Sequence, residues 1–299
     1  MSTLEEQQNA RFAALDPRLP PITPPAGGAE LLRATTPDGR PAAGLVVHTV
    51  LEPGAWLRLW GPAEVWDLTA VPGDSGATGL SALLTVWRSR IHGAGPDSAC
   101  TLTWPSRDAE AAPVLLAHGF VPQTCLAVRP PDPVKAVSAG IRHARATDAE
   151  TLVDLRMAEL RYAALVGPAV VRPGARELMA AEVGQALRFG ARFWLAEDGG
   201  APVGMAAGTL VTPAPGTAVH GRLPAGDWGY FDTLSVTPEA RHRGIGRALA
   251  AAAHRELILS GVRGTFLFYH PANPLSPVFW HRQGYRPLWT TWARQPAWP

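Results

Sequence analysis

Val236-Thr237-Pro238-Glu239-Ala240-Arg241-His242-Arg243-Gly244-Ile245-Gly246-Arg247-Ala248-Leu249 carries the chain out of a strand, through a turn and into a helix. The residues before it, Phe231-Asp232-Thr233-Leu234-Ser235-Val236, alternate as a strand does, and after it Ile245, Leu249 and Ala252 share one helical face. The first turn of a helix leaves backbone N–H groups without partners, and these donors and the helix dipole attract anions. Without side chains at Gly244 and Gly246, a pyrophosphate can come close to the backbone. Arg241, Arg243 and Arg247 add cationic donors at the same point. The Gly-Lys-Ser/Thr ending of a P-loop is missing, and Leu249 stands where a dinucleotide-binding loop has its third glycine.

The same pattern occurs earlier at one constant offset. Asp232 lies 165 positions after Asp67, Gly244 lies 165 after Gly79, and Gly284 lies 165 after Gly119. Trp66-Asp67-Leu68-Thr69-Ala70-Val71 is the earlier strand, and Gly79-Leu80-Ser81 the earlier turn. An unbroken offset of this length reads as two copies of one α/β unit. The joint falls near Arg129-Pro130-Pro131-Asp132-Pro133, where three prolines preclude regular structure. The division expected is residues 1–135 and 138–299.

In the later copy, Thr147 and Glu150 have capping-box spacing and open a helix to about Ala164. A second helix is expected over 175–189 and a hairpin around Gly199-Gly200, followed by strand 229–236. After the helix that follows Gly244 come a strand at 265–269, a short helix at 274–282 and a last strand at 286–292. Strands alternating with helices predict a mixed sheet flanked by helices in each copy.

This later copy resembles the GNAT superfamily of acyl-CoA N-acyltransferases. Arg241-x-x-Gly244-x-Gly246 fits the superfamily's Arg/Gln-x-x-Gly-x-Gly/Ala signature, and Leu234 to Glu239 is similar to its usual lead-in. Asn273, Ser276, Phe279, Gly284 and Tyr285 fall at the spacings of its downstream motif, and the likeness covers most of residues 141–295. The resemblance implies two tandem GNAT-like units, with acetyl-CoA as co-substrate. Backbone amides of Arg243, Gly244, Ile245 and Gly246, with Arg241 and Arg247 beside them, would hold the CoA pyrophosphate. Leu234 and Val236 would pair with the pantetheine arm, and Asn273 would bond near its thioester end or brace the neighbouring loop.

The resemblance also implies direct attack by an amine on the thioester, which needs a base, because an alkylammonium has a reference pKa of about 10.4. Asp232 is the first candidate, Glu159 the second, and His270 a further acid–base candidate. Trp280 stands where the superfamily usually has a tyrosine acid, and an indole N–H does not give up its proton. In the earlier copy Gly76, Thr78 and Ser81 replace Arg241, Arg243 and Gly246, and Asp74 adds an anion, so this copy should bind pyrophosphate poorly.

Composition narrows the rest. The 299 residues are 46% hydrophobic and 17% charged, as in a folded domain pair. A net charge of +2 is too small for a broad nucleic-acid footprint. No apolar run reaches the ~18–20 residues of a membrane span, and the N-terminus lacks a secretory pattern, so a cytoplasmic protein is expected. Cys100 and Cys125 fall in strand-like runs and read as buried thiols, and no metal is expected. The acceptor expected is an amine of a small molecule or peptide, and the chain a monomer or homodimer. Two alternatives remain open at this point, a non-catalytic acyl-CoA-binding module and a tandem aminoacyl transferase using charged tRNA.

Overall fold

The computed structural model describes residues 2–25, 27–133 and 140–298. The expected boundary between 135 and 138 lies outside the described residues. The chain runs α1 (Ser2–Leu15), β1 (Glu30–Thr35), β2 (Pro41–Val50), β3 (Glu64–Val71), α2 (Gly76–Arg88), β4 (Ser98–Pro105), α3 (Ala111–Ala117) and β5 (Val121–Arg129). It continues β6 (Ile141–His143), α4 (Ala149–Val166), α5 (Ala175–Arg188), β7 (Arg192–Asp198), β8 (Ala201–Val211), β9 (Trp228–Val236), α6 (Ile245–Leu259), β10 (Thr265–Tyr269), α7 (Ser276–Arg282) and β11 (Arg286–Arg294). From β3 onward the repeat is visible element by element, since α3 and α7, and β5 and β11, match residue for residue at the offset of 165.

The two units do not keep separate sheets. Among the described residues all strands form one eleven-stranded sheet in the order β1-β2-β3-β4-β11-β5-β10-β9-β8-β7-β6. Among these described strands only the β3–β4 and β9–β10 pairs are parallel. The copies have exchanged their last strands: β11 lies against β4 of the earlier copy, and β5 lies against β10 of the later one. β5 and β11 then pair with each other antiparallel.

The register respects this symmetry. Arg286 opposes Val128 and Val121 opposes Ala293, and each pair becomes the other when the copies are interchanged. The two glycines that end the short helices, Gly119 (φ 81°) and Gly284 (φ 90°), adopt the left-handed turn that only glycine takes readily. Each is covered by the other copy's arginine, Arg294 over Gly119 and Arg129 over Gly284.

Three apolar clusters hold the sheet. α2 buries Leu80, Leu83, Leu84 and Trp87 against the earlier copy, and α6 buries Leu249, Ala250, Ala253 and Leu257 against the later one. The third joins α4 and α5 to β7 and β8, and it contains a residue from the earlier copy, Leu59, fully buried among Leu152, Met157, Met179 and Val183. The Leu59 carbonyl accepts from Val170 N–H at 2.9 Å, and Arg172 reaches the Arg58 carbonyl at 2.7 Å and Asp97 at 2.9 Å. The loop around residue 59 is thus built into the helical face of the later copy.

Two local expectations are corrected. The helix α4 begins after a short turn at 146–148, and its entry is fixed by Asp148, which accepts from Arg145 N–H at 2.6 Å, not by Thr147 and Glu150. The last short helix starts at Ser276, two residues later than expected, because Asn273 Oδ1 accepts the Leu275 and Ser276 N–H groups at 2.9 and 3.2 Å. Both cysteines are buried and free, and burial pushes the Cys100 thiol up to about 12.

Candidate active site

The site is built on β9, which differs from its counterpart β3 in three ways. First, β9 carries a bulge against β8: Thr233 opposes Ala207 and Phe231 opposes Gly208, leaving Asp232 without a partner. A bulge re-aims side chains, and here Asp232 and Thr233 both meet the same group, Arg156 of α4. In the earlier copy β2 and β3 pair from Ala43–Val71 to Val50–Glu64 without a break, and Asp67 simply accepts from Thr101 at 2.6 Å.

Second, β9 and β10 pair only at Gly229–Thr265 and Tyr230–Phe266 and then part, so the β10-side edge of β9 beyond Tyr230 has no strand partner. That edge includes Leu234 and Val236. β3 and β4 stay paired over five residues, Glu64 to Leu68.

Third, the helix after β9 starts freely. Gly244 (φ 82°) is its N-cap, with no side-chain cap, and a Cβ added there would meet nothing within 4 Å. A Cβ on Gly246 would meet Phe279, Val236 and Leu234 only at ordinary contact distances of 3.7–3.9 Å. Packing therefore does not require glycine at 246, and the free space above the helix start remains open for a ligand. In the earlier copy the turn that leads into the helix is filled. Gln8 Oε1 accepts from Gly73 N–H at 3.1 Å, Gln7 Oε1 from Asp74 N–H at 3.4 Å, and Arg11 sits against Gly76. By the offset of 165 these positions match 238, 239 and 241, so helix α1 covers the turn before α2, and Gly79, the match of Gly244, already lies inside α2 against Ser75.

The three arginines at the open helix start are differently engaged. Arg241 Nε donates to the Val236 carbonyl at 3.1 Å and its guanidinium lies over Tyr162, 5.4 Å from the ring centre. Arg243 pairs with Asp198 at 2.7 Å on an exposed surface, and Arg247 is exposed. The oxygen of Asn273 braces the α7 entry.

On the α4 side of β9, four charged residues converge. Arg156 is 1% exposed; its guanidinium meets Asp232 at 2.5 Å and Glu182 of α5 at 3.2 Å, and donates to Thr233. Burial opposes the Arg156 charge, but Asp232, Glu159 and Glu182 outweigh it and hold the guanidinium protonated more firmly than usual. Glu159, one turn along α4, keeps Oε2 buried with no hydrogen-bond partner. Burial raises its carboxyl to about 7; Arg156 and a bond from Thr233 oppose the rise, and the Asp232 and Glu182 charges add to it. Burial likewise raises Glu182, and burial with the Asp232 charge holds the Tyr230 phenol well above its ordinary value. From the earlier copy, Trp56 places its ring 5.7 Å from the Arg156 guanidinium.

Of the three expected proton-handling residues, Asp232 and Glu159 meet around Arg156. His270 is held elsewhere: Nδ1 contacts the Gln123 carbonyl at 3.0 Å, the ring packs against Gly167, and burial lowers its basicity. Trp280 points into the core against Phe231, Phe279 and Tyr285. Arg156, Glu182 and Trp56 escaped the sequence reading. Arg156 left one signal, a charge set in the apolar stripe Leu152-Leu155-Leu160-Ala163 of α4. Among the described residues no group of three or more His, Cys, Asp or Glu is placed to hold a metal ion, and no helix is long and apolar enough to cross a membrane.

Comparison with known proteins agrees with this geometry. Residues 156–285 match the model of the acetyltransferase (GNAT) family. A GCN5-related N-acetyltransferase from Sphaerobacter thermophilus shares 18% identity with a TM-score of 0.54, covering 90% of this chain and 81% of that one, which shows a common fold along nearly the whole length. A GCN5-related N-acetyltransferase from Ralstonia eutropha JMP134 is 24% identical over 49% of this chain and 92% of its own, with a TM-score of 0.39. The aminoglycoside N-acetyltransferase AAC(6')-Iy in complex with CoA is 18% identical over 50% and 92%, with a TM-score of 0.38. No curated protein matches the chain. The open helix start and the parted, bulged strand lie within the segment that matches the acetyltransferase (GNAT) family model, so residues 156–285 of this chain carry a GNAT acetyltransferase domain.

Proposed function

We propose that the chain transfers an acetyl group from acetyl-CoA to a primary amine, using one cofactor site, in the later copy. The observation that carries this reading is the meeting of three features on β9: the bulge at Asp232, the free edge beyond Tyr230 and the unobstructed helix start at Gly244. Residues 138–299 would form the acetyl-transferring unit, and residues 1–135 a unit that completes it. The open approach to Gly244 and Gly246 fits a pyrophosphate, and the edge at Leu234 and Val236 fits an extended amide-bearing arm.

Acetyl-CoA would supply an activated acyl group. The protein's part is to bind, orient and manage protons. Backbone amides from Arg243 to Arg247 would take the phosphate charge, with Arg241 holding the turn to the end of β9. The amine would approach from the α4 side, where the partly exposed carboxylate of Asp232 lies beside the buried Glu159. Nothing in this surface is large or basic enough to favour a nucleic acid over a small amine. Calorimetric titration of the full chain with acetyl-CoA, followed by a thiol-release screen over a panel of primary amines, tests the reading. Absence of acetyl-CoA binding at millimolar concentration would overturn it.

A further inference from the structure

We propose that Glu159 is the group that takes the proton from the acceptor amine, and that Trp56, a residue of the other repeat copy, is the positioning residue that leaves it free to do so. This rests on the acetyl-transfer reading above. Three carboxylates share one buried cation: Asp232 and Glu182 are bonded to Arg156, while Glu159 is not, and its Oε2 is buried without a hydrogen-bond partner among the described residues. A buried polar atom without a partner costs about 1–3 kcal/mol, so a fold that keeps one needs a compensating use for it. Asp232 is the less suitable acceptor, because its Oδ2 is already held at 2.5 Å by Arg156.

The groups facing Glu159 come from three elements: Arg156 on its own helix, Glu182 on α5, and Tyr230, Asp232 and Thr233 on β9. Arg156 precedes Glu159 by three residues on the same helical face, the spacing at which side chains meet. What draws the guanidinium to Asp232 and Glu182 includes the Trp56 ring, which lies near it on the loop whose Leu59 is locked into the helical face. Without that ring, Arg156 gains freedom to turn onto Glu159 and neutralise it. In the reaction, an N–H bond of the ammonium breaks and an O–H bond forms at Glu159, and the freed electron pair makes the new C–N bond as the C–S bond breaks. The second proton lost from nitrogen ends on the departing sulfur, and Glu159 returns the first to solvent.

An infrared titration of the full-length protein without ligand reads the carboxyl directly. A protonated-carboxyl band should titrate near pH 7 in the wild type, vanish in Glu159→Gln, move to lower pH in Trp56→Ala and stay in place in Trp56→Phe. With the amine found by the acceptor screen, Glu159→Gln should lower kcat by 10²-fold or more, about the usual scale of general-base catalysis, and erase the acid limb of the kcat/KM profile. Glu159→Asp should recover part of the rate. Trp56→Ala should shift the acid limb together with the infrared band. If Glu159→Gln binds acetyl-CoA normally and keeps both rate and acid limb, the proposal fails while the acetyl-transfer reading stands. If the wild type binds no acetyl-CoA, both fall. A band and limb unmoved in Trp56→Ala would remove Trp56 from the proposal.

Discussion

Cys125 and Thr290 hold the same place in the two copies, 165 residues apart, and face each other across the β5–β11 ladder with Sγ and Oγ1 3.5 Å apart. A residue that pairs with its own repeat lies beside the symmetry axis of the molecule. The axis therefore runs through the strands that were exchanged, and each copy borrows from the other the strand that completes its sheet.

Separation of the halves is the first consequence to test. Residues 138–299 alone would lack β5, leaving the adjoining edges of β10 and β11 unpaired, and would lose Leu59 from the α4–α5 core. Unpaired edges invite aggregation. That fragment should be insoluble or lack near-ultraviolet circular dichroism, whereas co-expression with residues 1–135 should restore a soluble complex. A soluble, fully active fragment would show that the exchange is dispensable.

Cofactor stoichiometry follows from the contrast of the two helix starts. Calorimetry should give one acetyl-CoA per chain. Gly246→Ala, which the signature admits, should leave the melting temperature and binding nearly unchanged, since its Cβ finds ordinary contacts, whereas Gly246→Glu should abolish binding by putting volume and an anion where the pyrophosphate would sit. Ser81→Glu, at the matching position of the other copy, should leave binding unchanged. Gly79→Ala should instead cost about 1–3 kcal/mol of stability, because its Cβ would press Ser75 and reach Pro72 Cβ at 2.9 Å. A stoichiometry of two would mean that α1 does not block the second site.

The readable parts of this molecule were those whose chemistry is local. A glycine pair at a helix start, arginines beside it and a constant offset of 165 are all properties of short stretches, and the elements they predict are present. Strand exchange was not readable, because β5 and β11 are equivalent in the two copies and either could complete either sheet. The bulge at Asp232 depends on the register of β8, which Asp67 and Asp232 do not reveal from their matching positions. The burial of Arg156 among three carboxylates exists only once α4, α5 and β9 have met. Gln7, Gln8 and Arg11 carry no local signal of their role, and their place over the turn before α2 is a tertiary fact.

Trp280 offers a test of core against chemistry. Its ring packs edge-on against Phe231, Phe279 and Tyr285 at centroid distances of 4.9, 4.8 and 5.4 Å. Trp280→Phe should cost under about 1.5 kcal/mol and leave the shape of the pH–rate profile intact. Trp280→Ala should cost about 3–5 kcal/mol through the cavity it opens. Trp280→Tyr should bring no gain in rate, since the new hydroxyl would enter an apolar core. A faster Tyr variant would place residue 280 at the reacting sulfur after all.

Arg156→Met carries the sharpest pH signature. The substitution leaves Glu159, Glu182 and Asp232 around a buried side chain that can no longer neutralise them. Glu159 and Glu182 already have folded-state pKa values above the ordinary carboxylate range, through burial, and Arg156 is the first influence restraining both. Its loss should raise them further. A carboxyl whose folded pKa exceeds its unfolded value binds more protons folded than unfolded, so stability falls as pH rises between the two values. The loss on breaking a buried ion pair is about 3–5 kcal/mol at full charge. Arg156→Met should therefore be strongly destabilised at pH 8 and much less at pH 5, where Glu159 and Glu182 can take up protons in the folded state. Urea unfolding of wild type and variant at the two pH values measures the difference. A penalty equal at both, or larger at pH 5, would mean that Arg156 does not serve as the counter-charge of this cluster.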